Sequence, residues 1–495
     1  MLSGLVNGLD SLFIWLNSGL KQNLADYVDL ETGQDEYSLA AKDGSLISIL
    51  RIDGYKSLIN VEAYYEKIST PLSSGLDPFL SKPGHMIQVV FSVDPTKSER
   101  IVREALNPSY VTIKKLGLEL QEILDERVKN ISRLANYEQC FIILWTRPSA
   151  LVKSDAKAES ARKIKAKMEQ RAPTKFAQDP FAGNSLLHNQ HSSFVNNINE
   201  LFYSVGVASE KLKAHDAVRV VRQSIDDDFT GEKWSPFLPG DKITPNVRHE
   251  AHKAKEWDIV WPKLSWQVAP RDAEIINNKL VRVGDTIYAP GYIDLMPKEV
   301  LSFSGLFGDL GGKFPWRISY TMESDGISAV SLKGLFASIL GFTSGDNKLL
   351  NNAVNTLKEM KDSHNQTIVK VRIAFCTWGR KGQEVEIERQ LSELARTVES
   401  WGSCLVSEVT GDPLGGMMSS TVGATFNSVA TESAAPLGAM TFMMPFGRPS
   451  SAWRKGSVLF LSPDMKLIPY QPGSSEQTTW ITLIDRTSTR LNSSH

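Results

Sequence analysis

The chain has 495 residues, enough to bury large cores, and its length alone suggests two to four domains. With 41% apolar residues, 22% charged residues and a net charge of −1, it has the balance of an ordinary soluble protein. That balance gives no electrostatic case for nucleic acid, whose binding needs clustered Lys and Arg to displace counterions. Three widely separated cysteines, Cys140, Cys376 and Cys404, argue against a disulfide framework and fit a reducing, cytosolic compartment.

The first twenty residues carry no basic n-region and are interrupted by Asn7, Asp10 and Asn17, so they do not read as a cleavable signal. They are also too polar to span a bilayer. Leu5, Leu9, Leu12, Phe13 and Leu16 recur at helical spacing and predict an amphipathic helix within a leading segment 1–35. Such a stripe either packs on its own domain or docks on a membrane surface or partner.

Residues 36–150 read as a first α/β subdomain. Two β-rich runs flank Lys42-Asp43-Gly44, a hairpin signal. The apolar run at 85–95 predicts a buried strand, followed by a long helical stripe through Ile113, Leu116, Leu120, Leu124, Val128, Ile131 and Leu134, and a further strand at 138–148. Strand, helix, strand is a crossover unit, right-handed if its strands are parallel.

The stretch 151–300 reads as a helical and irregular middle. Its segment 153–172, with seven basic and three acidic residues, predicts a solvated helix. Trp257, Trp261 and Trp266 read as packing anchors. A second α/β subdomain, 301–420, repeats the earlier grammar. Val369, Val371, Ile373 and Phe375 share one strand face opposite Lys370 and Arg372. Ile387, Leu391, Leu394, Val398 and Trp401 then form a helical stripe, with a strand at 403–412. The fold class expected is α/β, two strand-helix-strand units with mixed sheets around an irregular middle. Sequence self-similarity between the units is too weak to name a repeat.

No catalytic constellation emerges. The histidine pairs of HNQH (188–191) and HEAH (249–252) are spaced three apart, which lets a helix present both to one metal, but neither is a zincin motif and no third ligand sits near. They read as surface histidines, with a metal-dependent enzyme as the rival. The three cysteines fall in or beside apolar strand patterns and read as buried thiols. In GLFGDLGGKFPW (305–316), Phe307 and Phe314 stand where a phosphate loop needs Gly and Ser or Thr, so this reads as a glycine-rich turn.

The segment 442–484 is the most distinctive. Arg448, Pro449, Trp453, Gly456, Ser457, Pro463, Asp464, Tyr470, Pro472, Gly473, Gln477 and Trp480 form a pattern. It resembles the stretch ahead of the Walker A loop in type IV secretion and conjugation ATPases, in the IcmB/DotO branch with its TraU-like relatives. The segments 29–39, 83–92 and 144–147 are similar to that branch in order and spacing, so the resemblance covers about residues 1–484. Met465 departs from it, standing where the family usually has a turn glycine.

The resemblance implies the assembly and docking part of a secretion ATPase. Its relatives form homo-oligomers, hexamers, with other secretion-system subunits, peripheral to the cytoplasmic face of the bacterial inner membrane. ATP and Mg would belong to a RecA-like motor domain missing here; this chain itself would hold no cofactor or metal, and no residue in it is assigned to hydrolysis. Residues 421–484 would be the connection and hairpin leading to that domain, with a strand at Trp480–Ile484. The closing residues 485–495 lack glycine and an apolar pattern and read as a foreign or disordered tail. The alternative is a motorless structural scaffold of the secretion channel.

Overall fold

The computed structural model describes residues 23–169, 177–231, 233–241, 261–297, 300–326, 359, 366–408, 412–451 and 453–471. The chain divides into two compact units that are discontinuous in sequence. Unit one comprises Met1–Val93 and Glu138–Arg448, and unit two Asp94–Tyr137 and Pro449–His495.

Among the described residues, unit one is built on a 13-stranded sheet. Its strands are β1 (Leu30–Gly33), β2 (Leu39–Ala41), β3 (Leu46–Tyr55), β4 (His85–Val93), β5 (Glu138–Thr146), β6 (Val207–Lys211), β7 (Ala273–Ile275), β8 (Val281–Val283), β9 (Thr286–Leu295), β10 (Trp316–Glu323), β11 (Ile368–Arg380), β12 (Leu405–Glu408) and β13 (Ser433–Pro436). The main path runs β1-β2-β3-β5-β4-β10-β11-β9-β8-β7, with β6 on β3, β12 on β9 and β13 on β11. Every pairing between these strands is antiparallel, in place of the mixed sheets expected from sequence. The strand-helix-strand order does not itself fix direction. Here the chain leaves after Val93 and returns at Glu138 to pair Val93 directly, so β4 and β5 are adjacent antiparallel neighbours rather than ends of a parallel crossover.

The topology occurs twice. In the first half, β3, a helical run ending in Thr70–Leu80, β4, β5, the helix His188–Ser204 and β6 follow in sequence and lie in the order β6-β3-β5-β4. In the second, β9, the helix Phe303–Leu310, β10, β11, the helix Glu384–Ser400 and β12 lie in the order β12-β9-β11-β10. Both are split β-α-β arrangements. They join through β4 and β10, from Trp316 opposite Val93 to Glu323 opposite Met86. The interruptions between the central strands match too: 44 residues in each case, 94–137 and 324–367.

One face of the sheet is covered by these repeat helices. Ile87, Val89 and Phe91 of β4 and Val369, Val371, Ile373 and Phe375 of β11 meet Leu72, Phe194, Phe307, Ile387, Leu391 and Val398 there. The other face carries Met86, Val90, Trp145 and Trp378 under the helices Ala214–Ile225, Leu264–Val268 and Pro413–Ser419. Residues expected as an irregular middle therefore supply β6 to β9 and much of the second layer. Trp266, expected as an anchor, is 41% exposed.

Unit two packs helices Ser98–Ala105, Asn107–Leu116 and Gln121–Ser132 with a hairpin of β14 (Val458–Leu461) and β15 (Leu467–Tyr470). Val102, Ala105, Leu106, Val128, Ala135 and Leu467 form its core. The long stripe read from sequence is cut by Gly117, whose φ of +63° closes the helix Asn107–Leu116. Leu124 and Val128 of that stripe are buried, whereas Leu116, Leu120 and Leu134 are exposed.

Candidate functional site

Among the family-like residues Arg448 has the most constrained place. The turn Pro445–Gly447 delivers it, with Gly447 against the Tyr64 ring, where a Cβ would come within 2.9 Å of a ring carbon. The Arg448 guanidinium donates from Nε (3.1 Å) and Nη2 (2.5 Å) to the two carboxylate oxygens of Glu138. It also lies 3.7 Å from the centroid of the Phe307 ring, and the Arg448 carbonyl accepts from the Tyr55 N–H at 2.7 Å. A cation so fully engaged has an architectural chemistry.

The residues that follow build unit two. Trp453 meets Tyr470 edge to face at 4.9 Å. Gly456 donates to the Ala105 carbonyl (3.0 Å), and a Cβ there would stand 2.4 Å from the Tyr470 carbonyl oxygen, so only glycine fits. The Ser457 N–H donates to Gln471 Oε1 (2.8 Å), and its carbonyl accepts from Arg127 (3.1 Å). Pro463 and Asp464 turn the hairpin, and the Asp464 carbonyl accepts from the Asn136 side chain (3.3 Å). Met465 takes the left-handed φ of +62° that the turn demands. Pro472, Gly473, Gln477 and Trp480 lie outside the described residues, as do Leu5, Leu9, Leu12, Phe13 and Leu16, Trp257, the HEAH segment, the strand expected at Trp480–Ile484 and the tail 485–495.

Two other family-like segments converge on Phe426, a meeting the sequence does not announce. Asp29 Oδ2 accepts from Thr425 Oγ1 (2.6 Å) and the Phe426 N–H (3.1 Å). The Arg147 guanidinium stacks 4.7 Å from the centroid of the Phe426 ring, and Trp145 meets the same ring edge-on at 5.7 Å. Desolvation raises the Asp29 carboxyl above its ordinary value, against the pull of those hydrogen bonds.

The glycine-rich segment 305–316 is not simply a turn. Phe303–Leu310 is helical and buries Phe303, Leu306, Phe307 and Leu310, and Gly311 (φ +49°) then leads to β10. A phosphate loop runs strand, loop, helix and offers helix N-terminal amides. Here the order is reversed, and the glycines follow a helix C-terminus whose carbonyls repel anions. Lys313 reaches Glu393 at 3.5 Å, and Phe314 is buried.

The histidines of HNQH part company. His188 lies 3.5 Å from Asp35, whereas His191 is buried, contrary to its reading as a surface residue. His191 Nε2 bonds Ser48 Oγ and its Nδ1 bonds Thr146 Oγ1, each at 2.9 Å, and Thr146 Oγ1 also meets His85 Nδ1 at 3.2 Å. Among the described residues no group of three His, Cys, Asp or Glu could hold a metal ion. Cys140, Cys376 and Cys404 are buried and unpaired with one another, and burial pushes the Cys376 and Cys404 thiols up to about 11.

Sequence reading passed over Arg317, on the face of β10 opposite the repeat helices. Its side chain is buried, and its Nε donates to Ser420 Oγ (2.8 Å), Nη1 to the Ser224 carbonyl and Nη2 to the Met417 carbonyl (3.2 Å). Tyr288 and Trp378 flank it at 5.6 and 5.7 Å. No carboxylate bonds it among the described residues. Ser224 and Met417 lie in the last turns of Ala214–Ile225 and Pro413–Ser419, so the negative ends of two helices face this cation.

No helix among the described residues is long and apolar enough to cross a membrane. Compared with known proteins, the chain matches no protein-family model and no curated protein sequence.

Proposed function

We propose that this chain is the assembly and docking part of a type IV secretion or conjugation ATPase of the IcmB/DotO branch, peripheral to the inner membrane. In this reading it contributes oligomer and partner contacts, while ATP and Mg act in a RecA-like motor domain. The observation that carries the reading is the engagement of the pattern from Arg448 to Tyr470. Arg448, Trp453, Gly456 and Tyr470 each make a contact suited to their residue type: a two-pronged guanidinium, a glycine beneath a carbonyl, a tryptophan against a tyrosine edge. The described part of the pattern is thus engaged in folding contacts, which supports reading it as a shared architectural signature.

Unit two also supplies a surface suited to docking. The helix Asn107–Leu116 buries no residue, and between 111 and 123 the side chains of Val111, Leu116, Leu118, Leu120 and Ile123 are all more than 40% exposed. Concentrated apolar exposure of this kind marks protein contacts. A photo-crosslinker placed at Ile123 should capture a second copy of this chain or an inner-membrane channel subunit in a bacterium bearing such a system. The double variant Leu116→Asp/Ile123→Asp should lose that product and the self-association seen by sedimentation, with its melting temperature unchanged. A chain that stays monomeric at tens of micromolar and yields no crosslink would overturn the assembly role.

A further inference from the structure

The first repeat helix of unit one changes pitch. After Val61–Tyr64 the chain widens into a π turn, Tyr65–Ser69, where the Thr70 N–H reaches back to the Tyr65 carbonyl, and it resumes as Thr70–Leu80. Pro71 stands at the start of the resumed helix, and Pro78 inside it has no N–H to give the Ser74 carbonyl. Single π turns within helices concentrate at functional sites. This one borders a groove of about 840 Å³, within the range of small-ligand sites.

The groove's chemistry is one-sided. Tyr65, Ser73, Ser74 and Asp77 line it from the helix, facing Thr367 at the foot of β11 and Phe442 of the short helix Leu437–Phe442. Among the described residues Asp77 is the one acidic side chain lining it and no Lys, Arg or His does, which disfavours phosphate and carboxylate ligands. Thr367 Oγ1 donates to Asp77 Oδ1, while Oδ2 accepts no hydrogen bond among the described residues. Tyr65 and Phe442 meet edge to face at 5.6 Å, with Tyr65 55% exposed. A carboxylate with a spare oxygen, two aromatic rings, hydroxyls and a carbonyl lacking its helical donor together suit one class of ligand.

We propose that this groove binds an organic cation, a guanidinium or alkylammonium group, with Asp77 as its counter-ion and Tyr65 and Phe442 against its apolar flank. The same chemistry is offered by a free amine and by a Lys or Arg side chain of a partner. Calorimetric titration of the full chain with N-acetyl-argininamide, its neutral isostere N-acetyl-citrullinamide and agmatine tests it. The arginine probe should bind about tenfold more tightly than the citrulline probe, the worth of one charge-assisted hydrogen bond. Asp77→Asn should abolish that preference, and Tyr65→Ala, at an exposed site, should weaken the arginine probe without moving the melting temperature. Agmatine binding more tightly than N-acetyl-argininamide assigns a free amine, and the reverse order assigns a partner side chain. Equal binding of the charged and neutral probes, no binding by either cation, or an arginine affinity untouched by both variants overturns the site.

Discussion

Arg448 and Glu138, 310 residues apart, form a two-pronged ion pair in which only 6% and 2% of the side-chain surfaces are exposed. Glu138 opens β5 where the chain returns from 94–137, and Arg448 is the last residue of unit one. One contact therefore ties together two ends of unit one's chain segments. Glu138→Gln removes the carboxylate charge that both prongs of the buried guanidinium meet and should destabilise unit one by about 3–5 kcal/mol. Arg448→Lys can keep neither the second prong nor the stack on Phe307 and should cost nearly as much. Urea denaturation checks both; a loss below about 1 kcal/mol would mean that the pair is screened like a surface one.

Much of this frame was legible in the sequence. The alternation of Val369, Val371, Ile373 and Phe375 and the 3.6-residue stripe of Ile387, Leu391, Leu394 and Val398 place all eight residues in one buried cluster. His191 could have been found as well, because it shares a helical stripe with Phe194, Val195, Ile198 and Phe202. Other features had no local signal. Leu467 completes a core with Val102 and Val128, more than 300 residues earlier, and no periodicity reports such a partner. Arg317, Ser319 and Thr321 alternate with apolar residues like a solvated strand face, yet residues 417–424 cover them through contacts with Gln88 and Arg317.

The His191 network has a direction. Ser48 Oγ–H donates to the Tyr37 carbonyl (2.9 Å), so His191 Nε2–H donates to Ser48, its bare Nδ1 accepts from Thr146, and His85 Nδ1–H donates to Thr146. Burial holds both rings neutral, pushing His191 down to about 3 and His85 to about 4. The unfolded chain protonates near pH 6.5. Above that pH the contribution is whole. As pH falls from about 6.5 toward about 4, the unfolded state takes up two protons that the folded state refuses, and stability drops by about 1.4 kcal/mol per pH unit for each ring. Urea midpoints measured across this window should show the decline, and His191→Gln should remove about one proton from its slope. An unchanged slope would show that His191 is already protonated in the fold.

Met465 presents a smaller and cleaner case. The hairpin between β14 and β15 closes with the Met465 N–H on the Ser462 carbonyl (2.9 Å) and Met465 at φ +62°, a conformation that costs a side-chain-bearing residue about 1–2 kcal/mol. The side chain is 41% exposed, so little packing is lost on removing it. Met465→Gly should therefore stabilise unit two by about 1 kcal/mol, less the added entropy of a glycine in the unfolded chain. Hydrogen exchange of the β14 and β15 amides should slow in proportion. Faster exchange would mean that the Met465 side chain contributes more than its exposure suggests.

Arg317 joins two layers through one fork. Its three bonds go to Ser224 in the helix Ala214–Ile225, to Met417 in Pro413–Ser419 and to Ser420 just beyond it. Arg317→Met keeps the apolar stem but strips buried acceptors of their donor, at about 1–3 kcal/mol each, and removes the charge that complements both helix ends. A total loss of about 3 kcal/mol or more is expected. Arg317→Lys retains the charge as a single point and cannot span three acceptors on separate elements, so it should recover less than half of that loss. The stronger test is where the damage appears. Amides in the last turns of both helices should exchange faster together, while β4 and β10, paired over eight positions from Val93–Trp316 to Met86–Glu323, remain protected. Loosening confined to one helix would show that Arg317 supports that helix alone and does not bridge the two.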